Sequence, residues 1–557
     1  MPGIAVRAAK RFEQSTTDTF AHGSAARRGW TLFIACAGVA LVIASMVALN
    51  TALSGIAAAT SATQTQLTWI VDSYTLLLAC LVLPAGAIGD RYGRRSALLV
   101  GLAIFSVASA APLLLDSPSQ IIAARAMAGA GAAFVMPATL SLLTAAYPPA
   151  ERTKAVGVWA GVAGSGGVFG LVGTGLLIEV FDWRSIFWTL SIAGLVLLLL
   201  TLTIAESRDS TAPRLDVPGA ATIGAALAVF VFGILEAPAH GWADPRVLAC
   251  LVGGVVLAVV FGVIELRRRH PLLDIRLFRD PYFGTGSAVI TVVYLATFAL
   301  FFLVTQYLQQ VLGYSALAAA VALSPMAIPL LSLSALSSWY LPKLGLRTVV
   351  FASMVLVAAG FLCMRTLTAD SSYLEVCWPL LVISTGFGLC TAPTTSAIMT
   401  AAPDQKQGVA SAVNDATREV GGAMGIALAG SILASSYHHH VAGALVGLPE
   451  PVRGPASDSL AKALAVAHQL GPDGLQLAER SKEAFVAATN NSYLVMAVIV
   501  AVASVFVTIL APGRDGEQLD LVRRRRGRGA SGAKSVAGPG NTIPPVSQDE
   551  SVGTARG

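Results

Sequence analysis

The sequence predicts an all-α integral membrane protein of fourteen transmembrane helices, and three observations carry that expectation. The 557 residues are 55% apolar and only 12% charged, a composition outside the range of water-soluble domains. Apolar runs of about 20 residues recur from Trp30 to Pro512, each long enough to cross a hydrocarbon core of roughly 30 Å. With the N-terminus placed inside, 28 of the 37 Lys and Arg residues fall on inside segments, against seven outside and two within spans. That four-to-one bias orients the chain with both termini cytoplasmic, which requires an even number of spans. The net charge of +6 then reflects topology and anionic lipid, with no nucleic-acid partner implied.

Taken in order, the spans run over about 30–54, 66–89, 97–115, 119–146, 153–180, 184–205, 217–236, 246–266, 284–308, 316–340, 346–366, 373–400, 408–434 and 493–512. Residues 1–29 are polar and basic without apolar periodicity, so they read as a cytoplasmic tail with no cleavable signal. Residues 30–205 hold six spans, and 284–512 hold six more, including a large outer segment at 435–491. Between them, 206–283 carry two extra spans flanked by a polar linker, Glu206–Asp216, and a basic one, Arg267-Arg268-Arg269-His270-Pro271. The chain is therefore expected to form two six-helix bundles with two inserted helices. A tail at 513–557, with Arg523–Arg526 and a Gly/Ser/Pro-rich end, reads as disordered and drawn to the anionic inner leaflet.

Ser45 and Asn50 are the only notable polar points of the first span. Asp72 lies about 9 Å below the outer end of the second, where an acid reads either as a side chain snorkelling to the interface or as a proton or cation site facing a wet cavity. Arg125 lies at similar depth in the fourth span and needs a partner or a wet cavity, with Asp72 or another acid as candidates. The small residues around it, Ala128-Gly129 and Gly131-Ala132, let a neighbouring helix approach closely. The fifth span carries eight glycines between Gly157 and Gly175, predicting a smooth stripe along one side. Gln306, Gln309 and Gln310 near the end of the ninth are candidates for lining a wet path, and Pro342–Arg347 weakly echoes the turn at Asp90.

The thirteenth span is the second chemical centre, with Asn414, Asp415, Arg418 and Glu419 inside two helical turns. Glu419 falls about 16 Å into the membrane, close to its midplane. Each charge at such depth costs roughly 2.5–3.5 kcal/mol, so three together point to a site that exchanges protons or meets a cationic ligand. The triplet His438-His439-His440 has no companion Cys or spaced acid, and the six cysteines are scattered singly, so neither a metal site nor a disulfide framework is indicated. No GxxxxGK[ST] occurs and no Gly is followed by Lys, which excludes a P-loop and ATP-driven action by this chain alone; no paired catalytic set appears in the inside loops, so neither an enzymatic centre nor a cofactor is expected.

Gly86-x-x-x-Asp90-Arg91-x-Gly93-Arg94-Arg95 resembles the signature of the major facilitator superfamily in the turn between its second and third spans. Trp69-Ile70-Val71-Asp72-Ser73-Tyr74, Arg125-x-x-x-Gly129-x-Gly131, the glycine-rich fifth span with Trp183–Phe187, and Asn414–Gly422 are similar to motifs of its fourteen-span drug:proton antiporters. The resemblance implies alternating access between two bundles. Gly86, Asp90, Arg91, Gly93 and Arg94 would form a conformational latch, and Asp72, Arg125, Asn414, Asp415, Arg418 and Glu419 would handle protons and substrate. Three departures stand out: Ser45 where an Asp is common, Leu171 after Gly170 where a Pro is usual, and Ala128 in place of Gln. The expected function is proton-driven export of hydrophobic or cationic drugs or dyes across a bacterial-type cytoplasmic membrane. The alternatives are a dedicated exporter of one metabolite or lipid-like product, and a non-transporting sensor or scaffold.

Overall fold

A computed structural model describes residues 25–514 apart from 50–51, 61, 63, 116, 209–215, 269–270, 446–452, 455 and 458. Asn50, most of both tails including Arg523–Arg526, Arg269 and His270 therefore lie outside the described residues. Within them all regular structure is helical, and fourteen helices are long and apolar enough to span a membrane. In chain order these are Ala25–Ala48 (α1), Trp69–Tyr92 (α2), Arg94–Leu113 (α3), Pro118–Ala146 (α4), Pro149–Val180 (α5), Arg184–Thr201 (α6) and Val217–Ala237 (α7). Then come Pro245–Arg267 (α8), Pro281–Val311 (α9), Ala316–Ala335 (α10), Ser337–Met364 (α11), Tyr373–Ala401 (α12), Asp404–Val441 (α13) and Leu475–Leu510 (α14).

The helices sort by packing into two bundles. Helices α1–α6 pack on one another through α2–α4, α3–α4, α3–α6 and α1–α5, and α9–α14 through α9–α13, α11–α12, α11–α14 and α13–α14. Within a bilayer no hydrophobic gain separates helix–helix from helix–lipid contact, so close approach at small residues decides these pairs. Gly129 of α4 lies against the Tyr74 backbone of α2, and Gly425 of α13 against the Leu295 backbone of α9. At either glycine an added Cβ has no room. The bundles meet along α2–α13, α4–α13, α5–α10 and α5–α12.

The inserted hairpin α7–α8 is asymmetric. Helix α7 packs on α2 and α13, and the indole N–H of Trp242, in the α7–α8 turn, donates to Ser431 Oγ of α13 at 2.8 Å. Helix α8 rests mainly on α7 and is 17% buried in its span against 83% for α4, so its Val252, Val256, Val259 and Val263 face the bilayer.

Two expectations need correction. The glycines of α5 form two faces: Gly157, Gly161 and Gly164 pack on α10, whereas Gly166 and Gly170 pack on α1. At 100° per residue, five residues from Gly161 to Gly166 carry the chain about 140° around the helix, so a single stripe was geometrically excluded. Helices α13 and α14 run well past the expected span ends, to Val441 and back to Leu475, so that they take up both flanks of the outer segment. At 36 residues α14 is roughly 54 Å long, and a short helix Leu460–Gln469 packs on it. The three glutamines at the end of α9 sit in and beside a π-helical turn, Tyr307–Val311, where Gln310 Nε2 donates to Gln306 Oε1 at 3.4 Å.

Candidate functional site

The turn after α2 clasps the opposite bundle. Asp90 Oδ1 accepts from Arg94 Nε and Nη2 at 3.0 and 2.8 Å and from the Gly408 N–H at 2.8 Å, while Oδ2 accepts from the Val409 N–H at 3.0 Å. The two amides open the first turn of α13, so a carboxylate of one bundle caps a helix of the other and meets the positive end of its dipole. Arg94 Nη2 also donates to the Asp404 carbonyl at 3.1 Å, and Arg152 at the start of α5 pairs with the Asp404 carboxylate at 2.9 Å. Gly86 and Gly408 are in reciprocal contact, a Cβ on either lying 2.5 Å from the other's carbonyl oxygen. Gly93 has φ 120°, and the Glu206 carboxylate fills the space where its side chain would stand. Glu206 there accepts from the Arg95 and Ser96 amides at 3.0 and 3.1 Å, holding the start of α3. Arg91 lies beside the Tyr92 ring, its guanidinium carbon 5.3 Å from the centroid.

The turn at Gly345, φ 75°, repeats this arrangement in the second bundle with different chemistry. Here the Arg347 N–H and Nε donate to the carbonyls of Pro512 and Ala511 past the end of α14, at 3.2 and 2.9 Å. Backbone oxygens do what Glu206 does in the first half.

The charged residues of α13 are sealed in the seam between bundles. Asn414 and Asp415 have no exposed surface, Arg418 is 2% exposed and Glu419 5%. The Arg418 guanidinium lies 4.9 Å from the Trp159 ring of α5 and 5.0 Å from the Tyr294 ring of α9, which supply cation–π stabilisation from both bundles. Its Nη2 donates to Thr395 Oγ1 of α12 at 3.3 Å. Its Nη1 is 4.0 Å from Asp415 Oδ1, an ion pair too long for a hydrogen bond. Asp415 Oδ1 instead accepts from Asn414 Nδ2 at 3.2 Å. Asn414 Oδ1, Asp415 Oδ2, Arg418 Nε and Nη1, Glu419 Oε2 and the Tyr294 hydroxyl have no hydrogen-bond partner. Buried polar atoms are ordinarily paired, so this seam concentrates hydrogen-bonding capacity that the neighbouring side chains do not take up.

Arg125 occupies a second buried site. Its Nη1 donates to Ser45 Oγ at 3.0 Å, Nη2 to the Ser45 carbonyl at 3.1 Å and Nε to the Ile70 carbonyl at 3.3 Å. The guanidinium carbon is 4.3 Å from the Tyr74 ring centroid, and the Tyr74 hydroxyl donates to the Val42 carbonyl at 3.0 Å. Arg125 is thus held by neutral oxygens and a ring, with Ser45 in the place where an acid was expected as partner. Tyr74 is within electrostatic reach of both Arg125 and Glu419. Asp72 is not gathered with them. It lies in electrostatic reach of Glu236 on α7, on the flank of α2 whose Trp69 ring meets Phe232 at 5.8 Å.

Trp159, Tyr294, Thr395 and Tyr74 complete these sites and were not singled out from the sequence. Trp159 carried a signal, as the one indole inside a run of glycine, alanine and valine; the two tyrosines and the threonine look like ordinary span residues.

Two helical bundles joined by an inserted hairpin, clasped at one end and enclosing buried charge along their seam, define a membrane transporter of the two-bundle type. Residues 35–426 match the Major Facilitator Superfamily, and the chain belongs to that family. Among its relatives, "Multidrug resistance protein Stp" of Mycobacterium tuberculosis is 31% identical over 407 residues, covering 73% of this chain and 76% of that one. "Tetracenomycin C resistance and export protein" of Streptomyces glaucescens is 31% identical over 411 residues, with the same two shares. Among solved structures, the proton:xylose symporter XylE superposes with TM-score 0.56 at 14% identity, over 90% of this chain and all of that one.

Proposed function

We propose that the protein is a proton-driven exporter of amphipathic small molecules, hydrophobic or cationic drugs and dyes among them, working by alternating access. The observation that carries this reading is the α13 set, Asn414, Asp415, Arg418 and Glu419, buried between bundles with polar atoms left unpaired. The names of the relatives, one a multidrug protein and one an exporter of a single product, support the substrate class.

In this reading residues 30–205 and 284–512 are the two moving bodies, 206–283 is the inserted hairpin with its linkers, and both termini are cytoplasmic. The Asp90 clasp then lies on the inner side, and the structure corresponds to the state closed to the cytoplasm. Glu419 is the proton carrier: ionised it attracts a cationic substrate, and protonated it ceases to hold one. Asp415 and Arg418 set the potential at Glu419, while Trp159 and Tyr294 offer aromatic faces to the apolar body of the substrate. Arg125 and Tyr74 transmit the charge state of Glu419 to the first bundle. Asp72 is assigned an outer role against α7, at the mouth of the proton path.

The test is uptake into inverted vesicles under an imposed ΔpH, with a panel of cationic and neutral dyes and single antibiotics. Uptake that a proton ionophore collapses, and that Glu419→Gln abolishes with the protein still folded, is the expected result. Flux of the same compounds that persists in Glu419→Gln or ignores ΔpH would overturn the proton-coupled reading.

A further inference from the structure

A cavity of about 270 Å³ opens on the flank of the molecule, away from the α13 charges. Its walls come from five spans and one strap: Leu83 of α2, Leu227 of α7, Phe261 of α8, Thr291 of α9, Val413 and Thr417 of α13, and Ile275 and Phe278 of the segment after α8. Val413, Ala416, Thr417 and Val420 occupy one face of α13, whereas Asp415 is about 200° around the helix from Val413. Thr291 and Thr417 each give their hydroxyl proton to their own helix, at 3.0 Å to the Ser287 carbonyl and 2.8 Å to that of Asn414. The lining is otherwise hydrocarbon, so a water there would have almost nothing to bond to.

The rim differs from the floor. The strap is a short 3-10 helix, Ile275–Arg279, that turns Ile275 and Phe278 into the cavity while Arg276 is exposed. Ile275 packs on Gly262 near the end of α8, and Arg267 ends that helix, also exposed. An apolar pocket that reaches solvent-accessible surface at Phe278, 42% exposed, with exposed Arg267 and Arg276 on the two elements that flank it in sequence, fits an acyl chain joined to an anionic headgroup.

We infer that this cavity is a binding site for one anionic phospholipid, its acyl chain among Leu83, Leu227, Phe261 and Val413 and its headgroup at Arg267 and Arg276. The position gives it a consequence. Leu83 stands three residues before Gly86, Val413 stands four after Val409, and Lys406 Nζ donates to the Pro271 carbonyl, four residues ahead of the strap, at 3.1 Å. The walls of the pocket therefore include the two helices that the Asp90 clasp holds together, one from each bundle. A chain seated between them favours the clasped state, and parting α2 from α13 dismantles the site.

The experiment is native mass spectrometry of the full chain in neutral detergent, titrated separately with phosphatidylglycerol and phosphatidylcholine of identical acyl chains. One retained phosphatidylglycerol per chain is expected, preferred over phosphatidylcholine by on the order of tenfold from two interfacial arginines. Arg267→Gln with Arg276→Gln removes the preference, and Leu227→Trp, which fills the cavity, removes retention of both lipids. Should Leu227→Trp not fold, Thr417→Leu at a half-buried position makes the same test. Equal retention of the two lipids by the unsubstituted chain would overturn the assignment, as would undiminished retention in a folded cavity-filling variant. Displacement of the phospholipid by a transported dye at equal concentration would make the cavity a substrate portal and equally overturn it. The lipid-retention readings, with and without the substitutions, do not depend on transport, so they fail or succeed separately from the proton-coupled export proposed above.

Discussion

Replacing Asp90 by alanine removes four accepted hydrogen bonds at once, and two of them cross between bundles to the Gly408 and Val409 amides. A hydrogen bond to a charged group contributes about 1.5–3 kcal/mol, so the crossing pair accounts for roughly 3–6 kcal/mol of preference for the clasped state. The lower value is the better guide, because in the open state water reaches the α13 amides and recovers part of what is lost. A shift of about 3 kcal/mol changes the ratio of open to clasped molecules by on the order of 100-fold. Arg94, 5% exposed, is left buried without its carboxylate in the clasped form, which pushes in the same direction. The readout is labelling of Ser411→Cys by a membrane-impermeant maleimide, in a background with the six native cysteines replaced. Ser411 has no exposed surface in the clasped state and lies three residues beyond Gly408, so it reports opening at this end. Asp90→Ala should raise the labelling rate in inverted vesicles by about two orders of magnitude, and Asp90→Asn, which keeps one acceptor, by less. A labelling rate unchanged by Asp90→Ala would refute the clasp as the element that holds this state.

Three further outcomes follow from the same geometry. Trp159→Ala removes one of the two rings on Arg418, and the loss, about 0.5–2 kcal/mol, should appear as weaker substrate binding with the folded fraction unchanged; dye binding in detergent by fluorescence polarisation measures it. Ser45→Asp sets a carboxylate against Arg125, where the present acceptor lies 3.0 Å from Nη1, and should raise Tm through a charge-assisted pair while shifting the range of transported dyes towards cations. Gly425→Leu drives a side chain into the Leu295 backbone of α9 and should destabilise the second bundle by more than about 1–3 kcal/mol, read as loss of monodisperse protein on size exclusion.

How much of this was legible in the sequence depends on whether a residue's partner is near or far along the chain. The spans follow from local hydropathy alone, and the fourteen helices fall where apolar runs placed them, although α13 and α14 extend well beyond their runs. The Asp90 turn was visible because Gly93, Arg94 and the acid sit within a few residues, yet the amides they meet belong to Gly408 and Val409, more than 300 residues on. The same separation hid the Arg418 site: the arginine announces itself as a charge in a span, but Trp159 and Tyr294 acquire meaning only when three distant helices converge. Asp72 shows the converse limit. Depth in the membrane was readable from its position, but azimuth was not, and 100° per residue separates it from Ser73, whose hydroxyl donates to the Ile122 carbonyl of α4. One step around α2 therefore turns the residue from Arg125 towards Glu236 on the inserted hairpin. The departure at Ser45 gains its physical sense here as well. An acid at that position would neutralise Arg125 within the first bundle, whereas a hydroxyl leaves the positive charge uncompensated there. With no acid beside it, Arg125 is held by the Ser45 hydroxyl and carbonyl, the Ile70 carbonyl and the Tyr74 ring, all of them within the first bundle.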